Sequence, residues 1–277
     1  MVKFSLLMCV YEKENPQHLK ECLKSIEALS IKPDEFVIVK DGPLTDDLEA
    51  ILEMEKGQGE MEPSPCPFFN IIALPENVTS GPARAAGLEA ASNEWVAIID
   101  SDDICRPDRF EKQLKMIEQN PKLGLIGGQI AEFIDDPNKH IATRTVPQEH
   151  DKIVKYAKTR SPFNQMTVMV KKSEVQKAGS YRLFPLFEDY DLWTRMIKNG
   201  TICANHPDVL VDARVGSGMY KRRRGVKYIR SEWKMQKQLK KLGFIGLCGF
   251  LKNVLLRIPV RLLPGKLLAG VYRGFAR

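Results

Sequence analysis

The chain has 277 residues, 43% of them hydrophobic and 28% charged, a composition typical of a soluble globular protein. Its net charge of +7 is unevenly spread, because residues 218–277 hold 16 Lys and Arg against one acid, Glu232, so the preceding residues are net acidic. The length favours one large α/β domain followed by a tail over two equal domains. A basic tail on an acidic body favours a polyanionic partner, either anionic lipid or nucleic acid, over a plain solvated helix.

Targeting and redox signals are weak. No run of 18 apolar residues occurs, which argues against a spanning helix. The apolar run 4–11 has no small-residue cleavage site, so it is typical of a first strand rather than a secretory signal. The six cysteines show no zinc-like spacing, which predicts reduced thiols with Cys9 and Cys203 in the core. These features favour a cytoplasmic protein.

Strand-like and helix-like segments alternate through the first hundred residues. Short apolar runs predict strands, and apolar residues three or four apart predict helices between them. The alternation predicts a mostly parallel, doubly wound sheet. The predicted strands are 4–10, 35–39, 68–74 and 95–99, the predicted helices are 19–29, 46–52 with Thr45 as its cap, and 81–91, and a loop is predicted at 57–67.

The strict alternation is lost beyond residue 103, which predicts a mixed sheet in the second half. The predicted elements there are a helix opened by Pro107, strands at 123–133 and 165–170, a short helix at 172–178 and a segment at 186–197.

Three carboxylates, Asp100, Asp102 and Asp103, stand at the end of the predicted strand 95–99. Open α/β sheets bind ligands at the carboxyl ends of their strands. Clustered carboxylates repel one another, and a hard divalent cation with a phosphate ligand compensates for this. The cluster therefore predicts a metal and a phosphorylated ligand, although Asp103 has an alternative role as the cap of the helix that Pro107 opens.

A second acid cluster, Glu188, Asp189 and Asp191, begins the predicted helix near residue 188. A carboxylate base beside a metal-bound diphosphate leaving group suits a transfer reaction. The alternative is an acidic first helical turn that the helix dipole favours.

The ordered set of motifs resembles the family 2 glycosyltransferases of GT-A fold. The resemblance covers about residues 1–220 and implies a Rossmann-like, mostly parallel sheet flanked by helices. It implies a catalytic domain at 1–217, with a nucleotide-sugar half at 1–103 and an acceptor half at 104–217, followed by a basic amphipathic tail at 218–277. The matching segments are SLLMCVY (5–11), VIVKDG (37–42), AR (83–84), DSDD (100–103), FN (163–164), GSYR (179–182) and EDYDLWTR (188–195).

The resemblance implies a donor site in the first half. Val10 and Tyr11 would line the pocket of the nucleotide base, and Asp41 would accept a hydrogen bond from the base or ribose. Asp100 would face the ribose or sugar. Arg84 would approach the donor, or else form a structural ion pair with Asp100 or Asp103.

The resemblance also implies the metal ligand and the base. Asp102 would bind Mn²⁺ or Mg²⁺ on the diphosphate of a UDP-sugar, and Asp189 would deprotonate the acceptor hydroxyl, so that direct displacement inverts the anomeric centre. Glu188 would orient the acceptor. Asp191 is more typical of a helix acid, and Trp193 of a core residue.

Three departures from the family pattern limit this transfer of roles. The chain has Asn77-Val78-Thr79 and Ala85 where many relatives carry Asn-x-Gly and Ala-Arg-Asn, and it has no Q-x-x-R-W, which argues against a processive synthase. No His stands at the usual late position, so we expect water to complete the metal shell.

The tail predicts a membrane-surface helix. Its apolar residues share one face over 246–258, bordered by Lys252 and Arg257, which fits a helix lying in an anionic membrane surface. The alternative is a tail packed on the catalytic domain or on a partner. The run 219–224 could fold over the diphosphate, although a solvated charge run is the default for its arginines at 222–224. The apolar residues are Leu247, Phe250, Leu251, Val254, Leu255 and Ile258.

Relatives with such a tail build bacterial exopolysaccharide, capsule or O-antigen. We therefore expect transfer to a polyprenyl diphosphate-linked saccharide at the inner face of the cytoplasmic membrane, with no nucleic acid involved. One alternative is a nucleotidyltransferase, but residues 8–15 offer no Gly-rich phosphate loop. The other is a nucleic-acid-binding protein that uses the basic tail, which leaves the acidic body unexplained.

Overall fold

The computed structural model describes residues 2–59, 69–216 and 225–262. Within these ranges nine strands form one sheet, in the order β3-β2-β1-β4-β8-β6-β9-β5, and β7 pairs with β6. The strands are β1 (Phe4–Val10), β2 (Glu35–Lys40), β3 (Phe69–Ala73), β4 (Trp95–Asp100), β5 (Ile104–Cys105), β6 (Leu123–Phe133), β7 (Ala142–Arg144), β8 (Met169–Lys171) and β9 (Ile202–Arg214).

Helices connect these strands. The predicted helices are confirmed, with ends that differ by a few residues, and α2 continues through residues 57–59, where we predicted a loop. The helices are α1 (Pro16–Glu27), α2 (Asp46–Gly59), α3 (Ser80–Ala90), α4 (Arg109–Gln119), α5 (His150–Tyr156), α6 (Lys172–Lys177), α7 (Glu188–Lys198), α8 (Val226–Lys241) and α9 (Leu247–Arg257).

The first four strands in the order β3-β2-β1-β4 are all parallel, as predicted. Cys9 of β1 pairs with Val39 of β2 on one side and with Asp100 of β4 on the other. Because parallel strands end at the same edge, Tyr11, Asp41 and Asp100 are brought to one edge of the sheet.

The second half of the sheet is mixed, also as predicted, since β8 is antiparallel to β4 and β6 while β6 and β9 are parallel. The predicted strand 165–170 is wrong in its first half, where Gln165–Thr167 forms a 3₁₀ turn. The Thr167 hydroxyl donates to Asn164 O (2.7 Å) and accepts from Gly128 N (2.9 Å). The bond to Asn164 is local and favours a turn over a ladder, and the bond from Gly128 ties this turn to β6.

Hydrophobic clusters cover both faces of the sheet, and this explains why β4 is an unbroken apolar run. Helices α1, α2 and α4 pack on one face, and α3, α5 and α7 pack on the other. Of the two cysteines expected in the core, Cys203 is buried and Cys9 is half-buried.

Helix α8 packs beside α7, and α9 packs on α8. Helix α9 turns Phe250 and Asn253 inward and leaves the leucines of its outer face exposed. Phe250, predicted to lie on the same apolar face as these leucines, is buried instead because it packs on Trp233 of α8. No helix in the described part of the chain is long and apolar enough to cross a membrane. The run 219–224 and residues 263–277 lie outside the described residues. The exposed leucines are Leu247, Leu251, Leu255 and Leu256.

Candidate active site

The end of β1 places Val10 and Tyr11 differently. Val10 lies in the core with Phe4, Leu6 and Met8, because alternate residues of a strand share a face, and its side chain is fully buried. Tyr11 is 39% exposed. Of the predicted base-pocket pair, therefore, only Tyr11 presents its side chain at this edge.

Asp41 ties the end of β2 to the loop before α3. Its Oδ1 accepts a hydrogen bond from Val78 N (2.7 Å), and Asn77 Nδ2 donates to its main-chain oxygen (3.2 Å). Gly42 has φ of +87°, and a Cβ there would lie 2.8 Å from Asn77 N. The loop whose sequence departs from the family pattern is thus ordered by Asp41 and by the glycine that follows it.

Arg84 joins the two acid clusters. One of its terminal nitrogens lies 2.7 Å from Asp100 Oδ1, and the other lies 3.4 Å from Glu188 Oε1. Ser80 Oγ donates to the same Glu188 oxygen at 2.7 Å. Burial opposes the charge on Arg84, but the carboxylates, foremost Asp100, outweigh burial and raise its pKa. The alternative ion pair with Asp100 is present, and the contact with Glu188 was not foreseen.

Strained backbone surrounds this junction. Thr79, Ser180 and Leu186 all have positive φ, at +73°, +55° and +69°. Such angles are uncommon for residues other than glycine, and a β-branched Thr is a marked outlier. A Cβ on Gly81 would lie 2.8 Å from Arg182 O and 3.3 Å from Glu188 Cβ. The start of α3 therefore approaches the start of α7 as closely as its backbone allows.

Asp103 does not cap α4, contrary to the alternative role considered above. Asp108 occupies the cap position, and Asp103 Oδ1 accepts a hydrogen bond from Arg214 N (2.8 Å) because the chain turns into β5 beside the end of β9. Asp103 Oδ2 is buried without a hydrogen-bond partner. Burial, together with the charges of Asp102 and Asp100, raises the pKa of Asp103.

Asp102 lies in a strongly acidic pocket. Burial and the nearby charges of Asp100 and Glu14 raise its pKa to about 7. A hard divalent cation would relieve this repulsion, so the oxygen donors fit Mn²⁺ or Mg²⁺. Among the described residues no three His, Cys, Asp or Glu side chains form a ready metal site.

Two neighbours of this cluster were missed in the sequence. Glu14 accepts a hydrogen bond from Ser101 Oγ, and nothing in the local pattern marked it. Arg214 donates from Nε to Asp102 O (3.1 Å) and from Nη2 to Glu21 (2.6 Å). Arg214 stands in the late segment 214–218, where the family pattern places a His and this chain has none, so its position was the available signal.

Asp189 is half-buried in the first turn of α7. Burial and the charge of Glu188 raise its pKa to about 6, against a backbone hydrogen bond from Tyr190 and the charges of Arg84 and Arg144. A carboxylate of this pKa is ionised at neutral pH and is still able to accept a proton.

Further along α7, side chains turn into the core. Asp191 pairs with Arg195 one turn later (2.8 Å), as a helix acid would. Trp193 is fully buried against Phe163 and Tyr181.

A sheet with acids at the C-terminal edge of its parallel half, facing an acidic helix start, is the arrangement that the resemblance to glycosyltransferases of GT-A fold implies. The model of glycosyl transferase family 2 matches residues 5–182. An uncharacterized glycosyltransferase of Haemophilus influenzae is 45% identical over 276 residues, covering all of both chains. The chain belongs to glycosyltransferase family 2.

Two further relatives carry more specific names. The amylovoran biosynthesis glycosyltransferase AmsE of Erwinia amylovora is 38% identical over 97% of both chains. The UDP-Gal:alpha-D-GlcNAc-diphosphoundecaprenol beta-1,3-galactosyltransferase of Escherichia coli is 35% identical over 99% of this chain and 97% of its own. These matches favour a glycosyltransferase over the nucleotidyltransferase and nucleic-acid-binding alternatives.

Solved structures share the fold at low identity. TarS 1–349 of S. aureus in complex with UDP-GlcNAc superposes with a TM-score of 0.63 at 18% identity, over 94% of this chain and 72% of its own. The mannosyltransferase PcManGT of Pyrobaculum calidifontis, in complex with GDP-Man and Mn²⁺, superposes with a TM-score of 0.63 at 15% identity, over 99% of this chain and 80% of its own.

Proposed function

We propose that the chain is a metal-dependent, inverting glycosyltransferase of bacterial surface polysaccharide synthesis. It transfers a sugar from a UDP-sugar to a saccharide linked to a polyprenyl diphosphate. The names of the full-length relatives from Erwinia and Escherichia support this donor, acceptor and pathway. The observation that carries the proposal is the bridge of Arg84 between Asp100 and Glu188, which puts the strand-end acids and the start of α7 in one charged network.

The donor binds at the ends of β1, β2 and β4. Tyr11 offers an exposed ring beside the uracil, and Asp41 orders the loop at 77–78 that borders the base. Val10 contributes main chain only, since its side chain is buried. Asp100, held by Arg84 at 2.7 Å, faces the ribose or sugar. Arg84 thus both clamps the acids and adds positive charge near the diphosphate.

Asp102 is the protein ligand of the metal. Asp102 would hold Mn²⁺ or Mg²⁺, and the ion would supply positive charge to stabilise the departing diphosphate. The neighbouring carboxylates, Asp100 and Glu14, raise the electrostatic cost of leaving Asp102 ionised without a cation.

Asp189 accepts the proton of the acceptor hydroxyl. The hydroxyl oxygen forms a bond to the anomeric carbon as the bond from that carbon to the diphosphate oxygen breaks, so the configuration inverts. Glu188, fixed by Ser80 and Arg84, orients the acceptor. The low dielectric around Asp189 keeps its proton affinity high enough for this step.

The tail docks on the inner face of the cytoplasmic membrane through the exposed face of α9. Leu247, Leu251 and Leu255 follow one another at four-residue spacing and are 57%, 49% and 71% exposed. The acid of this region, Glu232, is buried and paired with Arg257, so the surface is apolar and positive. A lipid-linked acceptor is then presented to the active site from the bilayer.

The test is a panel of UDP- and GDP-sugars with a polyprenyl diphosphate-linked sugar, assayed for acceptor-dependent nucleotide release with and without Mn²⁺. We expect turnover with a UDP-sugar, with Mn²⁺ present, that yields the inverted linkage by NMR. No turnover across the panel, or a retained linkage, would overturn the proposal.

A further inference from the structure

The residues on either side of the Glu188–Asp189 pair both point away from the site. Phe187 and Tyr190 are 9% and 1% exposed, and they lie in a buried cluster with Tyr228, Met235 and Leu239 of α8. The rings of Phe187 and Tyr228 are 5.4 Å apart at 68°, an edge-to-face pair. Helix α8 therefore holds the chain directly before and after the acid pair.

The first turn of α7 has little local support. Leu186 before it has φ of +69°, and Phe187 at the cap position makes no side-chain capping hydrogen bond. The adjacent carboxylates of Glu188 and Asp189 also repel each other. The strained residue before the turn and the missing cap favour fraying, so tertiary contacts help to hold this turn in place.

Ion pairs and hydrogen bonds of Glu232 hold helix α8 in place. Glu232 is fully buried and pairs with Arg257 (3.2 Å) and Arg261 (3.7 Å), and Gln236 donates to it at 2.9 Å. The Arg261 guanidinium lies 4.4 Å from the centre of the Tyr228 ring. Through these two arginines, Glu232 joins α8 to α9 and to the 3₁₀ turn Pro259–Leu262.

We propose that Tyr228 is a positioning residue for the Glu188–Asp189 pair: its ring holds Phe187, and thereby keeps the first turn of α7 where Asp189 faces the acceptor. This inference rests on the proposed function, in which Asp189 is the base. One helix pair then both docks on the membrane and places the base.

The experiment compares Tyr228→Leu and Tyr228→Phe with the control Trp233→Ala. Trp233 makes a similar edge-to-face contact, 5.2 Å from Phe250, but lies outside the cluster that holds Phe187. Steady-state kinetics use a short-chain, detergent-soluble acceptor, with UDP binding and thermal unfolding measured in parallel.

We expect Tyr228→Leu to lower kcat about 10- to 100-fold, the scale of a misplaced catalytic group. Donor KM and UDP affinity should stay within about twofold, because the donor contacts lie on other elements. Tyr228→Phe keeps the ring and should restore kcat to within about threefold. Trp233→Ala should keep kcat within about threefold although it also lowers Tm.

The pH profile separates positioning from simple destabilisation. The charged groups facing Asp189 are Glu188 on α7, Arg84 on α3 and Arg144 at the end of β7, and none of them is altered. A loosened first turn admits water to Asp189, so the acid limb of kcat should move to lower pH in Tyr228→Leu. It should stay in place in Trp233→Ala.

An unchanged kcat in Tyr228→Leu, or a loss no larger than in Trp233→Ala, would overturn the inference. If Tyr228→Leu does not fold, Phe187→Leu cuts the same contact from the other side, and the same outcomes decide. A wild-type protein without transferase activity, or an active Asp189→Asn, would instead overturn the proposed function.

Discussion

The guanidinium of Arg84 lies 2.7 Å from Asp100 and reaches Glu188 at 3.4 Å, although these acids are 88 positions apart in the chain. Arg84 reaches the two acids with two different terminal nitrogens, whereas an ammonium has a single nitrogen that would have to lie within reach of both carboxylates. The span of the guanidinium therefore suits the connection between the end of β4 and the start of α7.

Arg84→Lys should lower kcat/KM about 100-fold, because one or both acids lose their anchor. The measurement is steady-state kinetics beside thermal unfolding. The control is Arg106→Lys. Arg106 forms an ion pair with Asp212, at 2.8 Å, and contacts neither Asp100 nor Glu188, so this variant should keep its kcat. Equal losses in the two variants would show that Arg84 has no special role.

Asp102→Asn should lower activity about 100-fold or more, since a neutral amide is a poor ligand for a hard cation and the leaving charge loses its stabiliser. EDTA should stop the wild-type enzyme, and added Mn²⁺ should restore it but leave the variant inactive. The control is Asp108→Asn, which neutralises a half-buried acid paired with Lys112. A metal titration identical to that of the wild type would exclude Asp102 as the ligand.

The rate should fall on the acid side of about pH 6. Burial and the charge of Glu188 disfavour the carboxylate of Asp189 and raise its pKa to about 6, so the base form is populated above that pH and lost below it. The measurement is kcat against pH in buffers of constant ionic strength. A limb near pH 4 would mean that Asp189 is not the group that titrates.

Asp189→Asn should be inactive, yet it should be at least as stable as the wild-type protein. A carboxyl whose pKa is raised in the folded state binds its proton more tightly there than when unfolded, so its ionisation costs stability as pH rises through the interval between these pKa values. At pH 8 the amide removes that cost, and Tm should be unchanged or higher. A clearly lower Tm would indicate a structural role for the carboxylate.

Leu251→Glu should weaken binding to vesicles that contain phosphatidylglycerol by about tenfold, the loss of one buried leucine side chain. Binding should also weaken with salt, because the positive flank contributes. Ile141→Glu is the control, since Ile141 is similarly exposed at 53% but lies far from α9 in the chain. Vesicle sedimentation measures the binding of both variants. Equal binding by the two would exclude the α9 face as the membrane contact.

The sequence by itself determined the parallel half of the sheet and the order of the motifs. Apolar runs such as 95–99 are buried on both faces, and that pattern is local. The start of α7 at its acids was also readable, as was the core position of Trp193. The turn at 165–167 was not, because the Thr167 hydroxyl takes backbone bonds from a distant strand.

Only the tertiary structure decided which of these groups meet. The contacts of Arg84 with Glu188, of Glu14 with Ser101 and of Tyr228 with Phe187 join positions far apart in the chain. Their formation depends on how α3, α7 and α8 pack, and no single segment encodes it. Periodicity reports which face of an element is buried, whereas the partners of a charged or aromatic side chain follow from packing.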